Sequence, residues 1–398
     1  MVVGLMLLSA VIVSPRNIGT IQMKRSHGII LAAVATTSGL LTAAMAGRAS
    51  EEGSKASQAA TGAAGSNAER HAALIRTGES SVDWKWLVEE HDEDRDKTVT
   101  RSEFPGTAGD FARLDRTWDG VLTVEDFDWS TDGQLCQQKE TTFALFKSVD
   151  TSSDGRVSTE EWQALFARIA SEKGYLNEEE LEELIYLPRV VKTQSEQLNF
   201  ASIASFLDDA NAKFNSELPR VGEQAPDFEL RSADGLTTVR LSSFRGKKPV
   251  VLIFGCFSCG NYRTYSESLE EMYRRRKDDV EFLRVYVREA HPTDHTRPTS
   301  TNAKAGILIK QPVTLEDRCS VAGQCSAALN IQGPLVVDEI DNRVGRAWGG
   351  WPDRLYIIDR DGRVAYRGGP GPFGFNPREM EQSLVLLMEQ EKGDLKSK

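Results

Sequence analysis

The chain has 398 residues, a formal net charge of −11 at pH 7 and five cysteines. Its length predicts two or three domains with ample material for a buried core. The 59 acidic and 48 basic residues argue against nucleic acid as a partner, because such binding needs a basic face. Five cysteines are too few for a disulfide scaffold, and four of them lie in the C-terminal half, which indicates a redox use.

The N-terminus has the features of a secretory signal. Residues 1–22 are expected to precede the true start, and residues 23–46 contain the charged, apolar and small-residue parts of a signal peptide. An uncleaved membrane anchor is the alternative, since the apolar run approaches the length of a spanning helix. Either reading places the rest of the chain outside the cytoplasm, in the periplasm or secreted. Residues 47–80, rich in Ala, Ser, Gly and Glu, predict a flexible linker.

Three acidic segments then match the twelve-residue loop that binds calcium. Such a loop needs oxygen ligands at positions 1, 3, 5, 7 and 9, a turn residue at 6, an apolar residue at 8 and a carboxylate at 12. The predicted ligands are Asp92, Asp94, Asp96, Thr98 and Glu103 in the first loop, Asp115, Thr117, Asp119, Val121 and Asp126 in the second, and Asp150, Ser152, Asp154, Arg156 and Glu161 in the third. Residues 81–210 resemble the EF-hand family, which implies an all-α domain that binds Ca²⁺.

The loops fit this pattern unequally. The third loop fits best, with Gly155 at position 6, whereas the second ends in Asp126, which reaches less far than glutamate. The first loop has Lys97 where glycine is favoured. The segment 191–207 resembles a degenerate fourth loop without acidic ligands, so we expect the first loop to pair with the second and the third with the fourth.

From residue 217 to residue 392, strands alternate with helices, which predicts a mixed sheet flanked by helices. At its centre, the segment VVLIFGCFSCGNYR (residues 250–263) reads as a buried strand that delivers Cys256 and Cys259 to the first turn of a helix. A helix N-terminus favours thiolate over thiol, so the pKa of Cys259 is expected to fall. The entry to this domain resembles the thioredoxin-like redoxins, which implies a thioredoxin-like fold.

Several separated motifs make a more specific resemblance. They are VYVREAHPTD, LEDR, DNRVGRAWGGWPDRLYIID and YRGGPGPFGFNPREME, all between residues 285 and 381. Together they resemble the iodothyronine deiodinases and their bacterial relatives. The resemblance places Cys259 where that family has selenocysteine, and matches Glu289 and His291 to the family's EAHP motif. It implies that His291 protonates the leaving group or stabilises the thiolate, with Glu289 orienting it.

Two prolines depart from the family pattern, and both bear on the substrate. Pro312 stands where vertebrate members carry a histidine before LEDR, and Pro370 stands where some carry a basic residue. Both changes remove polar groups associated with the aromatic hormone, so the substrate stays open.

Further predictions concern the remaining cysteines and one proline. Cys256 is predicted to resolve the mixed disulfide formed by Cys259; the alternative is a small buried apolar residue. Cys319 and Cys325 lie six apart on a predicted helix, where they do not face each other. They either relay oxidation or pack the helix, and Cys136 has no assigned role. A cis bond at Trp351–Pro352 facing the cysteines, as in thioredoxins, is a further expectation.

These patterns together predict an extracytoplasmic, calcium-binding thiol oxidoreductase that an external thiol or redoxin regenerates. Its expected substrate is a halogenated aromatic compound, a disulfide or a peroxide. Two alternatives stay open: a peroxiredoxin-like peroxidase, and a calcium-responsive binding or structural protein whose redox domain has lost turnover.

Overall fold

The computed structural model describes residues 78–130, 134–170, 173–178, 180, 218–295, 299–371 and 374–396. Its strands are β1 (Glu79–Ser80), β2 (Val99–Thr100), β3 (Val121–Leu122), β4 (Glu229–Ser232), β5 (Thr238–Arg240), β6 (Val250–Gly255), β7 (Glu281–Tyr286), β8 (Leu335–Val337), β9 (Arg354–Ile358) and β10 (Val364–Arg367). The predicted signal segment, most of the linker and the degenerate fourth loop lie outside the described residues.

The helices of the described residues are α1 (Trp84–His91), α2 (Ala108–Leu114), α3 (Gln134–Val149), α4 (Thr159–Ala170), α5 (Gly260–Thr264), α6 (Ser266–Arg276), α7 (Ser300–Lys304), α8 (Leu315–Ala328), α9 (Arg343–Ala347) and α10 (Pro377–Lys396). Short 3₁₀ helices span Val124–Phe127 and Leu241–Phe244. In this part of the chain, no helix is long and apolar enough to cross a membrane.

One mixed sheet carries the C-terminal half, in the order β1-β10-β9-β6-β7-β8-β4-β5. Strands β6, β7 and β8 run parallel, and β9 runs antiparallel to β6. This arrangement, with β10 antiparallel to β9, is thioredoxin-like and confirms the predicted fold of this region. All six residues of β6 are buried, which fits a central strand covered on both faces and explains its unbroken apolar sequence.

The first two acidic loops pair through a short two-stranded sheet. Val99 lies opposite Leu122, and Thr100 lies opposite Val121. Val99 and Leu122 occupy the apolar eighth position of their loops, and both are fully buried. The pairing predicted between these two loops is therefore present in the structure.

The acidic-loop region packs directly on the redox region. Leu87, Phe111 and Leu122 belong to the same buried cluster as the residues of β6 and β9. Asp110 forms an ion pair with Arg276 of α6. The predicted linker also ends earlier than residue 80, because β1 pairs with β10 at the edge of the sheet. The hydrophobic surface of the first two loops is thus buried against the redox region.

Candidate active site and acidic loops

Both cysteines of the CFSC segment lie in a tight turn between β6 and α5, here called the cysteine turn (residues 256–259). The Cys259 backbone N–H donates to the Cys256 carbonyl oxygen at 3.2 Å. Cys259 is the N-cap of α5 and is 5% exposed, whereas Cys256 is fully buried. At the end of β6, a Cβ on Gly255 would lie 2.0 Å from the Tyr262 ring. Only glycine at this position lets the tyrosine pack beneath the turn.

The nearest acidic partner of Cys259 is Asp353, a residue that the sequence analysis did not select. The Cys259 thiol donates to Asp353 Oδ2 at 3.4 Å, and Asn261 Nδ2 donates to the same oxygen at 2.8 Å. Asp353 is fully buried and follows Pro352, whose peptide bond with Trp351 is cis, as expected. The sequence feature that could have pointed to Asp353 is its position directly after that proline, in the motif GGWPDRL.

Burial governs the ionisation of this pair. Burial raises the pKa of Asp353 to about 6, although hydrogen bonds from Asn261 and Cys259 oppose the change. Burial, and next the negative charge of Asp353, raise the pKa of Cys259 well above its ordinary value. The fall in the Cys259 pKa expected from a helix N-terminus is therefore wrong for this structure. Helix α5 has only five residues, so its dipole does not outweigh a desolvated site beside a carboxylate.

Cys256 contacts the other end of the turn. Its Sγ accepts a hydrogen bond from the Ala290 backbone N–H at 3.2 Å. Burial, and then the charge of Glu289, raise the pKa of Cys256 well above its ordinary value. The structure thus places Cys256 beside the EAHP segment, while Cys259 lies beside Asp353.

Glu289 and His291 both contact the cysteine turn through Ser258. The Ser258 backbone N–H donates to Glu289 Oε2 at 2.8 Å, and the Tyr286 hydroxyl donates to Glu289 Oε1. The His291 backbone N–H donates to Ser258 Oγ at 3.0 Å. Burial raises the pKa of Glu289, against the hydrogen bonds from Ser258 and Tyr286. The four predicted catalytic residues therefore come together, and the observed contact of Glu289 is with the backbone of the turn.

Arg263 is a second residue that the sequence analysis missed. Its side chain is fully buried, and Nη1 donates to the Phe257 carbonyl oxygen at 2.5 Å. Its Nη2 donates to Asn302 Oδ1 at 2.8 Å, and Asn302 Nδ2 donates to the Ser258 carbonyl oxygen at 2.8 Å. One guanidinium thus holds two carbonyls of the cysteine turn, one directly and one through an amide.

The other residues singled out in the sequence lie on elements around this centre, and Gly371, which follows Pro370, donates its backbone N–H to the Asp353 carbonyl oxygen at 3.1 Å. Cys319 is half-buried and Cys325 is fully buried, both as free thiols on α8. Pro312 and Pro370 are buried. Cys136 falls within α3.

The three acidic loops share one backbone conformation. Positive φ angles occur at positions 4 and 6 of each loop, at Arg95 and Lys97, at Trp118 and Gly120, and at Ser153 and Gly155. The aspartate at position 1 accepts backbone N–H groups from later in its loop, as Asp150 does from Asp154 at 3.2 Å and Gly155 at 3.1 Å. The first loop therefore adopts the same turn as the third although it has lysine at position 6.

The acid at position 12 is bound within each loop by backbone N–H groups. Glu161 accepts from Ser152 and Ser158, both at 3.0 Å. Burial raises the pKa of Glu161, but these hydrogen bonds outweigh that effect and lower the pKa to about 2. Asp126 likewise accepts from Arg116 at 2.7 Å and Thr123 at 2.8 Å. These carboxylates therefore face the interior of their loops.

The donor atoms of the loops suit a hard cation. The carboxylates of Asp92, Asp94 and Asp96 have oxygens within 4.8 Å of one another. The second and third loops have a hydroxyl at position 3, and Ser152 Oγ lies 3.2 Å from Asp150 Oδ1. Calcium prefers such sets of carboxylate, hydroxyl and carbonyl oxygens. The residues present thus fit the ion that the EF-hand resemblance implies.

Lys97→Gly is expected to stabilise the first loop. Lys97 has φ +69°, a conformation that costs a side chain roughly 1 to 2 kcal/mol and costs glycine almost nothing. We expect the free energy of unfolding, measured with urea in a chelator, to rise by about 1 kcal/mol. A decrease would show that lysine is not strained there. The matched control is Lys277→Gly, at an exposed position with φ −54°, where glycine brings no relief.

A thioredoxin-like redox domain is the class that this sheet and cysteine turn define. The family model described as iodothyronine deiodinase matches residues 192–387. This region, just under half of the chain, is thus similar to the iodothyronine deiodinase family. The match begins before the domain start predicted at residue 217 and includes most of the segment 191–207, which lies outside the described residues.

Curated relatives agree with this assignment. Thyroxine 5-deiodinase of Sparus aurata is 34% identical over 165 residues, which is 41% of this chain and 60% of that protein. The protein of the same name from Homo sapiens is 31% identical over 173 residues, or 42% of this chain and 54% of that protein. The chain therefore spans little more than half the length of these relatives.

Solved structures are similar at lower identity. A putative thiol:disulfide interchange protein DsbE from Chlorobium tepidum is 21% identical, with a TM-score of 0.30 over 42% of this chain and 99% of that one. A secreted Mycobacterium tuberculosis disulfide oxidoreductase is 14% identical, with a TM-score of 0.28 over 40% of this chain and 93% of that one.

Proposed function

We propose that the chain is a calcium-binding, extracytoplasmic thiol oxidoreductase in which Cys259 is the nucleophile. The observation that carries the proposal is the hydrogen bond from the Cys259 thiol to the buried Asp353 carboxylate. A buried carboxylate with a pKa of about 6 can accept a thiol proton near neutral pH and return it to a leaving group. The match of this region to the deiodinase family model supports the same chemistry.

The reaction with a disulfide proceeds in two exchanges. Asp353 takes the Cys259 proton, and the thiolate attacks one substrate sulfur, so that a mixed disulfide forms and the other sulfur leaves as a thiol with the proton returned by Asp353. The Cys256 sulfur then attacks the Cys259 sulfur, its proton passes to the second substrate sulfur, which leaves as a thiol, and a Cys256–Cys259 disulfide remains. An external dithiol or redoxin reduces that disulfide and is itself oxidised.

The same nucleophile serves the two other substrate classes. With a peroxide, the Cys259 sulfur takes one oxygen and becomes a sulfenic acid, and the alcohol or water leaves; Cys256 then displaces water. With an iodinated phenol, the sulfur takes the iodine, and the ring carbon receives a proton. Attack by Cys256 on the sulfenyl iodide then releases iodide. His291 and Glu289 are the proposed assisting residues, as the family motif implies.

Turnover assays separate these functions. The purified chain is incubated with dithiothreitol and, in turn, with hydrogen peroxide, a model aryl disulfide and an iodinated phenol. Thiol-dependent turnover of the phenol or the disulfide supports the proposal, whereas turnover of peroxide alone favours a peroxidase. Burial of both cysteines favours a second candidate, a calcium-responsive binding protein. Absence of turnover on all three substrates, with calcium still bound, would favour it.

A further inference from the structure

The third loop, residues 150–161, lies directly against the helices that follow the cysteine turn. A Cβ on Gly155 would be 2.3 Å from the carbonyl oxygen of Arg263 and 3.1 Å from that of Thr264. Gly155 also has φ +86°. The backbone of the loop therefore touches the last residues of α5 with no space for a side chain.

Arg263 connects this loop to the cysteine turn. Its Nε donates to the Ser153 carbonyl oxygen at 3.3 Å, and its other two nitrogens hold the turn through Phe257 and Asn302. Ser153 lies between the predicted ligands Ser152 and Asp154 and has φ +59°. The direction of its carbonyl thus depends on the conformation that the loop takes around its ligands.

Side chains reinforce the contact on either side. Arg156 donates to Glu267 Oε2 on α6, from Nε at 2.9 Å and from Nη2 at 2.6 Å. The rings of Phe143 on α3 and Tyr265 stack with centroids 5.9 Å apart. A Cβ on Gly260 would lie 3.9 Å from Lys147 Nζ and 3.7 Å from Arg263 Nη2. Two cationic groups therefore lie beside the residue that follows Cys259.

We propose that the third loop, when it holds its cation, braces the cysteine turn through Ser153, Gly155 and Arg263 and makes Cys259 more reactive. This inference rests on the calcium binding proposed above. Asp150, Asp154 and Glu161 repel one another when the loop is empty, and a bound cation offsets that repulsion and fixes the loop. The fixed loop keeps Arg263 and Lys147 beside Cys259, where their positive charge stabilises the thiolate against the Asp353 carboxylate, which accepts the hydrogen bond from the same thiol. By linkage, ionised Cys259 tightens calcium binding by the same factor.

Alkylation of Cys259 at several pH values tests the coupling. The full chain is treated with iodoacetamide, with and without calcium, and labelling of Cys259 is followed by mass spectrometry. We expect calcium to lower the pH midpoint of labelling and to raise the rate at pH 7 about fivefold or more. Isothermal titration calorimetry on the same samples reports binding. Binding without a shifted midpoint overturns the coupling alone, whereas absence of binding overturns the proposed calcium function as well.

Matched glutamates identify the loop responsible. Glu161→Gln and Glu103→Gln make the same change at position 12 of the third and first loops. We expect Glu161→Gln to abolish the calcium-dependent shift, and Glu103→Gln to keep it while losing binding at the first loop. If the calcium-dependent shift is lost in Glu103→Gln but unchanged in Glu161→Gln, the third loop is not the one that couples calcium binding to Cys259.

Matched glycines test the contact itself. Gly155 and Gly120 occupy the same loop position with φ of +86° and +88°, but a Cβ on Gly120 would meet nothing within 4 Å. We expect Gly155→Ala to reduce the calcium-dependent shift of the Cys259 labelling midpoint at least fivefold, and Gly120→Ala to leave that shift unchanged. Glu267→Gln weakens the contact of Arg156 with α6 and is expected to reduce the calcium-dependent shift of the labelling midpoint. This variant tests the contact independently if Gly155→Ala does not fold. Equal shifts in Glu267→Gln and the unaltered chain overturn the contact as the route.

Discussion

Cys259→Ser is expected to abolish thiol-dependent turnover, with a loss of about a thousandfold or more. A serine hydroxyl is a far weaker nucleophile than a thiol and cannot form the sulfur bond on which every proposed reaction depends. The measurement is the rate of reductant consumption with each of the three substrates. Because serine is nearly the same size as cysteine, we expect the folded structure to persist, which circular dichroism and the urea midpoint check.

Two further cysteines supply the controls for this variant. Cys319→Ser removes a half-buried thiol on α8 and is expected to keep full activity. Cys256→Ser is expected to keep the first attack but to accumulate a mixed disulfide on Cys259, visible by mass spectrometry. The assigned order of the cysteines is contradicted if Cys256 in Cys259→Ser alkylates faster near neutral pH than Cys259 in Cys256→Ser.

The sequence predicted the local parts of this site well because they are contiguous. A run of apolar residues from Val250 to Phe254 can only be a central strand or a buried helix segment, and its length favours a strand. Since β6 leads directly into the cysteine turn, the positions of Cys256 and Cys259 follow from the strand. The acidic loops were readable for the same reason, because all ligands of one loop lie within twelve residues.

The partners that tune the site are distant in sequence and were not predictable in this way. Asp353 reaches Cys259 because β9 pairs with β6 across the sheet, so that Phe254 lies opposite Arg354. No periodicity in either segment specifies that register. Nothing in the sequence indicated that Arg263 is buried, since arginine is rarely fully buried without partners. Its partners, Ser153 and Asn302, come from segments more than a hundred residues before it and about forty after it.

The wrong expectation for the Cys259 pKa has the same origin. Helix-terminus effects are local, and the sequence supplied them; desolvation and the charge of Asp353 depend on tertiary packing. The packing of the acidic loops on α6 and α10 was also missed, because each loop motif is complete in itself and gives no sign of a partner surface. Trp129 Nε1, for example, donates to Gln382 Oε1 at 2.7 Å across 253 residues of sequence.

Asp353→Asn is expected to slow turnover about a hundredfold while lowering the pKa of the Cys259 thiol. The first effect follows because an amide cannot accept the thiol proton, and general acid–base groups typically contribute about 10² to 10⁴ in rate. The second follows because the carboxylate charge that raises the thiol pKa is removed. A merely structural role for Asp353 would not produce these opposite changes. The pH dependence of Cys259 alkylation and the rate of turnover measure them separately.

Stability gives an independent check on the same residue. The pKa of Asp353 is about 6 in the folded chain and about 3.9 in an unfolded one, so the folded state binds more protons between these values. Stability therefore falls as pH rises from about 4 to 6, by on the order of 3 kcal/mol. Asp353→Asn should lose that dependence, measured by urea unfolding at pH 4.5 and pH 7, and should be the more stable chain at pH 7. If both chains show the same pH dependence of stability, Asp353 stays ionised in the folded state across this pH range. Its carboxylate could then accept a hydrogen bond from the Cys259 thiol but could not hold the thiol proton, which would contradict its role as the base.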